Sequence, residues 1–314
     1  MTEGTTAVVQ PTGPQQGMPG HRSGFVALFG PPNSGKSTLL NALVGAKVAI
    51  TTPVPQTTRS PLRGILTLPH AQVVFVDTPG LHRPRHKLGE QMVREARKAL
   101  EDVDVALLVL DASRTPGEEA EEAAQAARGV RVPLLVALNK RDVATEEDMG
   151  TWERWLAQRL HPEEVLRTSA LRGDGLDGLV EALVRRLPEG PPYFTADDLT
   201  DQPVQALVRE IIREKAMELT REEVPHAIAV ELEEFRKAEE GGVTYIRATL
   251  HVERPSQKKI LVGAGGRVIR EIGRRARPEV EAWVGGPVYL DLWVKVTEDW
   301  RRKEGFLRRL YPQR

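Results

Sequence analysis

The chain has 314 residues, too many for one typical core, so two domains are expected. Its 44 Lys and Arg balance 44 Asp and Glu for a formal net charge of +0, so any affinity for nucleic acid must come from local clustering. There is no cysteine, which excludes disulfides and thiolate metal sites and suits a reducing cytosol, and no apolar run approaches the ~20 residues that span a bilayer.

Residues 1–22 are rich in Gly, Pro, Gln and Thr without an apolar stretch, and read as a disordered tail rather than a signal peptide. The apolar run 25–29 predicts a strand. It leads into Gly30-Pro31-Pro32-Asn33-Ser34-Gly35-Lys36-Ser37-Thr38, with a helix from Lys36 to about Val44. Strand, G-x-x-x-x-G-K-[ST], helix is the pattern of a phosphate loop. The glycines let successive backbone N–H groups turn toward one anion, and the helix N-terminus adds partial positive charge. Lys36 can reach the outer phosphates, and the Ser37 hydroxyl can hold the magnesium that rides on them. A glycine-rich turn that binds nothing would not need Lys-Ser in this register.

Strands are expected at 64–68 and 72–76, the second ending in Asp77-Thr78-Pro79-Gly80-Leu81. An acid at a strand end can hold a magnesium-bound water, and Gly80 brings a backbone N–H to a γ-phosphate with no Cβ in the way. Helical patterns follow at 88–101, 117–128, 150–160 and 175–187, alternating with strands at 103–110, 132–138 and 165–168. After 132–138 comes Asn139-Lys140-Arg141-Asp142. The Asp142 carboxylate matches the adjacent ring N–H and amine of guanine, a pair adenine lacks, and such a charge-assisted contact contributes about 1.5–3 kcal/mol. After 165–168 comes Ser169-Ala170-Leu171, a turn whose backbone N–H can meet the guanine carbonyl. In this order, each at a strand's carboxyl end, the segments form a guanine-nucleotide site. The alternation implies an α/β domain over 23–187, with a mostly parallel sheet and helices on both faces.

A Pro/Gly cluster at 188–192 opens a linker over 188–202. The remainder, 203–314, reads as an α+β domain: a helix at 204–219, a hairpin of 227–232 and 245–252, a helix, Gly263-Ala264-Gly265-Gly266, a helix, a strand at 288–294 and a basic terminal helix. That is the order of a bacterial-type (type II) KH domain, in which the G-x-x-G turn clamps about four nucleotides of single strand. Between 253 and 277 two acids face eight bases, among them Lys258, Lys259, Arg267 and Arg270: the local electrostatic footprint absent from the total. By itself a G-x-x-G is often a helix C-cap. Trp283, Trp293 and Trp300 read as packing residues rather than base platforms, and His82 and His86 as exposed loop residues rather than metal ligands.

With these motifs in place, over about residues 23–312, the chain resembles the Era family of bacterial GTPases of small-subunit assembly, also through Pro55-Gln-Thr-Thr-Arg59 and Leu199-Thr-Asp-Gln-Pro203. The resemblance implies a slow GTPase using Mg2+, which binds GTP and GDP and recognises 16S rRNA near its 3′ end on the 30S subunit. It further implies a cytoplasmic monomer with weak peripheral association with the inner membrane. Switch I falls at about 46–59. Thr57 or Thr58 can offer a hydroxyl to magnesium and an N–H to the γ-phosphate; Thr58 is preferred because related GTPases place this threonine just before a basic residue. Lys36, Thr58 and Gly80 are then the catalytic set. Leu81 replaces the glutamine that orients water in Ras-like enzymes, so hydrolysis rests on positioning and ions. Asn33 is of the type that helps hold K+ in related GTPases. In this family the pair inside G-x-x-G usually includes a base. Here it is Ala264 and Gly265, which leaves a phosphate contact for Arg267 to supply. A tRNA-modification GTPase is the alternative, weakened by the KH-like half and the missing C-terminal cysteine. A plain RNA binder with a dead nucleotide fold is opposed by intact Lys36, Asp77 and Asp142.

Overall fold

The computed structural model describes residues 20–81, 84, 86–239 and 241–311. The first domain runs β1 (Arg22–Phe29), α1 (Lys36–Val44), β2 (Leu62–Leu68), β3 (Ala71–Asp77), α2 (Lys87–Lys98), β4 (Val105–Asp111), α3 (Glu118–Arg128), β5 (Leu134–Asn139), α4 (Glu146–Arg159), β6 (Glu164–Arg167) and α5 (Leu176–Val184). The six strands lie in the order β2-β3-β1-β4-β5-β6, all parallel except the β2–β3 pair. Every residue of β3 and β4 is buried, as central strands covered on both faces must be. Leu39, Leu40 and Leu43 of α1 and Leu179 and Leu183 of α5 cover one face; the alanines of α3 with Met149, Trp152 and Leu156 of α4 cover the other. The loops after β1, β3, β5 and β6 therefore gather at one edge of the sheet.

The second domain runs α6 (Val204–Glu218), α7 (Val224–Ala227), β7 (Ala229–Arg236), β8 (Thr244–Val252), α8 (Pro255–Val262), a 3-10 turn over Ala264–Gly266, α9 (Arg267–Val284), β9 (Val288–Val296) and α10 (Glu304–Leu310). β8 is central, antiparallel to β7 and parallel to β9. α6, α8 and α9 bury one face of this sheet through Val208, Ile212, Leu261, Ile272 and Ala276.

Several boundaries differ from expectation. The tail does not extend to residue 22: Arg22 opens β1, pairing with Ala71, and His21 is buried with Nδ1 3.0 Å from the Gly190 carbonyl. Residues 1–19 lie outside the described residues. α4 begins at 146 instead of 150, because Thr145 caps it and Asp148 bonds back to the Thr145 N–H, a capping box. α5 stops at Val184, not 187. β7 runs to Arg236, past a bulge between Leu232 and Glu234.

The stretch 188–202 is not a slack linker. Gln72, fully buried in β3, accepts from the Tyr193 and Phe194 N–H groups at 2.7 and 2.9 Å and donates to the Phe194 carbonyl at 3.0 Å. The Ile65 N–H then donates to the Leu199 carbonyl at 2.9 Å, and Thr200 bonds the Arg63 carbonyl at 2.6 Å. The segment covers the open edge beside β2. A cavity of about 870 Å3 lies between the two domains, with Arg94 and Glu95 on one wall and Arg209 and Tyr311 on the other. Among the described residues no helix is long and apolar enough to cross a membrane.

Candidate functional site

The loop between β1 and α1 closes on itself. Lys36 is buried, and its Nζ donates to the Gly30 and Pro31 carbonyls at 3.2 and 2.7 Å; burial pushes its ammonium down to about 8. Gly35 sits at φ 95 and precedes α1, where a Cβ would lie 2.3 Å from Asn139 Nδ2. Ser34 Oγ is buried without a partner among the described residues. A cavity of about 300 Å3 opens beside the loop, lined by Pro32, Asn33, Ser37, Thr38, Thr58 and Gly80 among others.

Three oxygens meet beside it. Ser37 Oγ lies 2.7 Å from Asp77 Oδ2 and 2.9 Å from Thr58 Oγ1, and Thr58 Oγ1 lies 3.2 Å from the same carboxylate oxygen. Thr57 turns away, bonding the Val54 carbonyl and Thr52. Burial pushes the Asp77 carboxyl up, against the pull of the Ser37 hydroxyl and of Lys36, and its Oδ1 is buried without a partner among the described residues. A buried carboxylate oxygen beside two hydroxyls is a donor set that fits a hard divalent cation. Thr78 is tied to the Leu28 carbonyl through both N–H and hydroxyl, and Pro79 is buried. A Cβ on Gly80 would come 3.0 Å from Pro32 Cα, so this residue closes tightly on the phosphate loop. Leu81 is buried in the core around Phe29 and Ala96, its N–H on the Gly30 carbonyl. His86 is no free loop residue: its ring accepts from the Gly89 N–H at 3.0 Å and caps α2. His82 lies outside the described residues.

At the other end Asn139 joins three segments. Its Nδ2 donates to the Ser34 carbonyl at 3.0 Å, and its Oδ1 accepts from the Ala170 N–H at 3.0 Å. Of the N–H groups in the 169–171 turn, one of which was expected to meet a guanine carbonyl, that of Ala170 is engaged by Asn139, a buried amide whose oxygen needs a partner. Asp142 is half-buried and accepts from the Ser169 hydroxyl at 2.6 Å, which fixes its carboxylate. Lys140, at φ 65, lines the cavity and bonds Asp111 at 2.7 Å. Arg141 holds the turn through its backbone N–H to Thr168, and the Leu171 side chain points to solvent. Sequence reading missed Arg114, which also lines the cavity from the end of β4; its signal was position alone, at the carboxyl end of a central strand.

Switch I is bolted to the second domain. Lys47 pairs with Glu214 and Glu279, and the Thr51 N–H donates to Glu214 at 2.8 Å. Arg213 donates to the Thr57 carbonyl. Arg59, next to Thr58 and buried, donates to the Ile228 and His226 carbonyls and to Tyr311 Oη, and lies over the Trp300 ring. Leu88 and Met92 of α2 pack against Trp300, Leu307 and Leu310.

On the far side, the Gly263–Gly266 turn joins α8 to α9 in the open. Lys258, Lys259, Ala264, Gly265, Arg267 and Arg270 are exposed, and none of these four bases forms an ion pair among the described residues. Gly263 and Gly266 have left-handed φ of 72 and 79, and the Arg270 guanidinium lies over Gly266. Arg274 and Arg275 instead pair with Glu271, whose carboxyl they hold down at about 2 through hydrogen bonds. Trp300 is buried and Trp283 packs against both domain cores. Trp293 is 60% exposed and is not a packing residue, because β9 alternates and places it on the face away from the helices.

A family profile described as "50S ribosome-binding GTPase" matches residues 25–140, and one described as "KH domain" matches residues 223–301. Over the whole chain it is 44% identical over 288 residues to GTPase Era of Carboxydothermus hydrogenoformans, covering 92% of this chain and 97% of that one. It is 47% identical to GTPase Era of Halothermothrix orenii, covering 92% and 98%. Among solved structures, Era in complex with MgGDPNP and nucleotides 1506–1542 of 16S ribosomal RNA superposes with a TM-score of 0.89 at 40% identity, over 93% of this chain and 99% of that one. A single-residue variant of Aquifex aeolicus Era bound to GDP·AlF4− gives 0.88 at 40% identity, over 92% and 99%.

Proposed function

This chain belongs to the Era family of GTPases, and on that premise we propose that it is a GTP-hydrolysing switch that binds 16S rRNA near its 3′ end during assembly of the 30S subunit. The observation that carries the reading is the joining of the two halves: the segment that bears Thr58 is held by α6, α7 and the C-terminal helix of the RNA-binding half. The 3′-end reading follows the relative that matches across both domains rather than the large subunit in the description of the GTPase domain alone.

We assign Gly30–Thr38 to the phosphates, Asp77–Leu81 to the γ-phosphate side, and Asn139–Asp142 with Ser169–Leu171 to guanine. Ser37, Thr58 and Asp77, the last through water, would hold Mg2+. Magnesium, when bound, neutralises charge on the outer phosphate oxygens. The residues do the rest. Lys36 neutralises the outer phosphates, Gly80 lets the backbone approach, Thr58 ties switch I to the reacting end, and Asp142 selects the base. Leu81, packed in the core, does no proton or water chemistry, so the rate enhancement is electrostatic. Potassium belongs to the same proposal. Asn33 donates an amide N–H to the Pro53 carbonyl at 3.2 Å, which leaves its amide oxygen as the atom to offer a cation. The cytoplasm is the compartment such a role needs, with weak membrane-surface contact carried over from the family resemblance.

Two measurements test the reading. Asp142→Asn should weaken GTP and favour xanthosine triphosphate; equal affinity of the wild type for ATP and GTP sinks the base assignment. Replacing Ala264 and Gly265 with two aspartates should abolish binding to single-stranded 16S 3′-end RNA while the GTPase persists. Unchanged affinity in a folded variant would mean the turn does not grip RNA.

A further inference from the structure

The face of the second sheet that α6, α8 and α9 leave open carries an ordered group of rings. β9 is an edge strand, paired only with β8. Val288, Leu290, Leu292 and Val294 point into the core; Tyr289, Asp291, Trp293 and Lys295 point out. Toward the far end this outer face is covered, where Phe306 packs against His251 at 4.9 Å. The near end is open, with Tyr289 57% and Trp293 60% exposed. Single exposed apolar side chains are ordinary, but these are organised. Tyr289 stacks on its cross-strand neighbour Tyr245 at 5.8 Å and 12°. Tyr245 is fixed in turn: its hydroxyl donates to Asp291 at 2.8 Å, and Arg236 and Arg247 lie 4.7 and 5.7 Å from its ring. Arg247 donates to the same Asp291 carboxylate at 3.0 Å, so the acid between the two exposed rings is already neutralised.

We propose that Tyr289 and Trp293 form a second single-strand RNA surface that stacks bases of the strand gripped by the Gly263–Gly266 turn. The proposal rests on the reading of that turn as an RNA clamp. Rings held open to solvent, here with the Arg236 and Arg247 guanidinium groups beside them on Tyr245, are what unpaired bases stack on without sequence preference. The two rings are four residues apart on one strand, about 13 Å, room for successive nucleotides. Continuity favours RNA over protein as the occupant. Leu292 lies against Gly273 of α9, 3.5 Å from where its Cβ would be, so β9 passes directly beneath the helix that starts at the turn. A strand leaving the turn along the unpaired edge of β9 needs to pass only one strand's thickness to meet both rings.

The test uses the full chain and two RNAs, one of about four nucleotides that fills the turn and one of about twelve. Tyr289→Ala and Trp293→Ala should each weaken the long RNA roughly tenfold, about 1.4 kcal/mol, and leave the short one unchanged. Tyr289→Phe and Trp293→Phe should keep most of the affinity, since the ring and not the polar atom carries it. An unchanged affinity for the long RNA in the double alanine variant, with its melting temperature intact, overturns the proposal. So does a loss of binding to 30S particles with naked long RNA unaffected, which would make the partner a protein. The double aspartate variant of Ala264 and Gly265 separates the two readings. If it binds both RNAs as the wild type does, the turn assignment fails and the alanine pair judges the rings by themselves.

Discussion

Lys36 shows how burial couples the phosphate loop to pH. Its folded value of about 8 lies below the ordinary 10.5, so between these pH values the unfolded chain holds more protons, and the stability of the nucleotide-free protein should rise with pH. Nucleotide affinity should move the opposite way. A triphosphate favours the charged ammonium, so above about pH 8 binding takes up a proton, and affinity should fall by up to about tenfold per pH unit. Calorimetric titration of GTP in two buffers of different ionisation heat reads that proton directly; equal heats would show that Lys36 stays charged. Leu81 is legible in a different sense. Its type told what it cannot do, but only the fold shows that it fills the core beside Phe29 and Ala96. Leu81→Ala should therefore cost about 2–5 kcal/mol of stability, with turnover per folded molecule within about tenfold, as thermal melts and initial rates would report.

Whole elements were readable where the signal was local. The phosphate loop needs eight consecutive residues, and each central strand carries an apolar run of four or more. The start of α4 was equally local, in Thr145 and Asp148, yet lay in front of the apolar spacing that marked the helix. The docking of switch I was beyond reach, because Arg59 meets Ile228 and Tyr311, 169 and 252 positions away. Periodicity carries no trace of such pairs. Trp293 was misjudged for a related reason, since an alternating strand shows that one face is polar but not which outward ring lies bare. Arg59→Ala should leave two buried carbonyls and a tyrosine hydroxyl without their donor, at about 1–3 kcal/mol for each unsatisfied group. We expect a lower melting temperature and, more tellingly, equal RNA affinity in the GDP and GTP states. A nucleotide effect that survives in this variant would place the coupling elsewhere, in α2 against Trp300 and Leu307.

For the whole molecule, a formal charge of +0 conceals a divided surface. Lys258, Lys259 and Arg267 stand unpaired among the described residues, whereas Arg274 and Arg275 are occupied by Glu271. Counting bases in the sequence could not separate the two groups; i,i+3 and i,i+4 pairing does. Neutralising Lys258, Lys259 or Arg267 should flatten the log–log salt dependence of RNA binding by about 0.7 each. Arg274→Gln should leave the slope unchanged, and a drop there equal to the others would show that Glu271 releases its partners on binding.

The connector on Gln72 and β2 sets how far the halves can part. It is fastened as far as Asp201, which pairs with Arg63 at 3.1 Å, and α6 begins at Val204, so residues 202–203 are what can serve as tether, about 7 Å of extended chain. A leash that short permits pivoting but not wandering. It holds the Gly263–Gly266 turn, the proposed RNA clamp, at an effective concentration on the order of millimolar next to the nucleotide pocket, whichever nucleotide is present. Release of switch I from Arg213 and Glu214 would then swing the clamp about a fixed point rather than set it adrift, and reclosure would need no diffusional search. Gln72→Leu, which frees Tyr193 and Phe194 but leaves Leu199, Thr200 and Asp201 on β2, should leave the radius of gyration in solution scattering unchanged, whereas Thr200→Val with Asp201→Ala, which removes the last side-chain fastenings, should loosen the pivot and raise it.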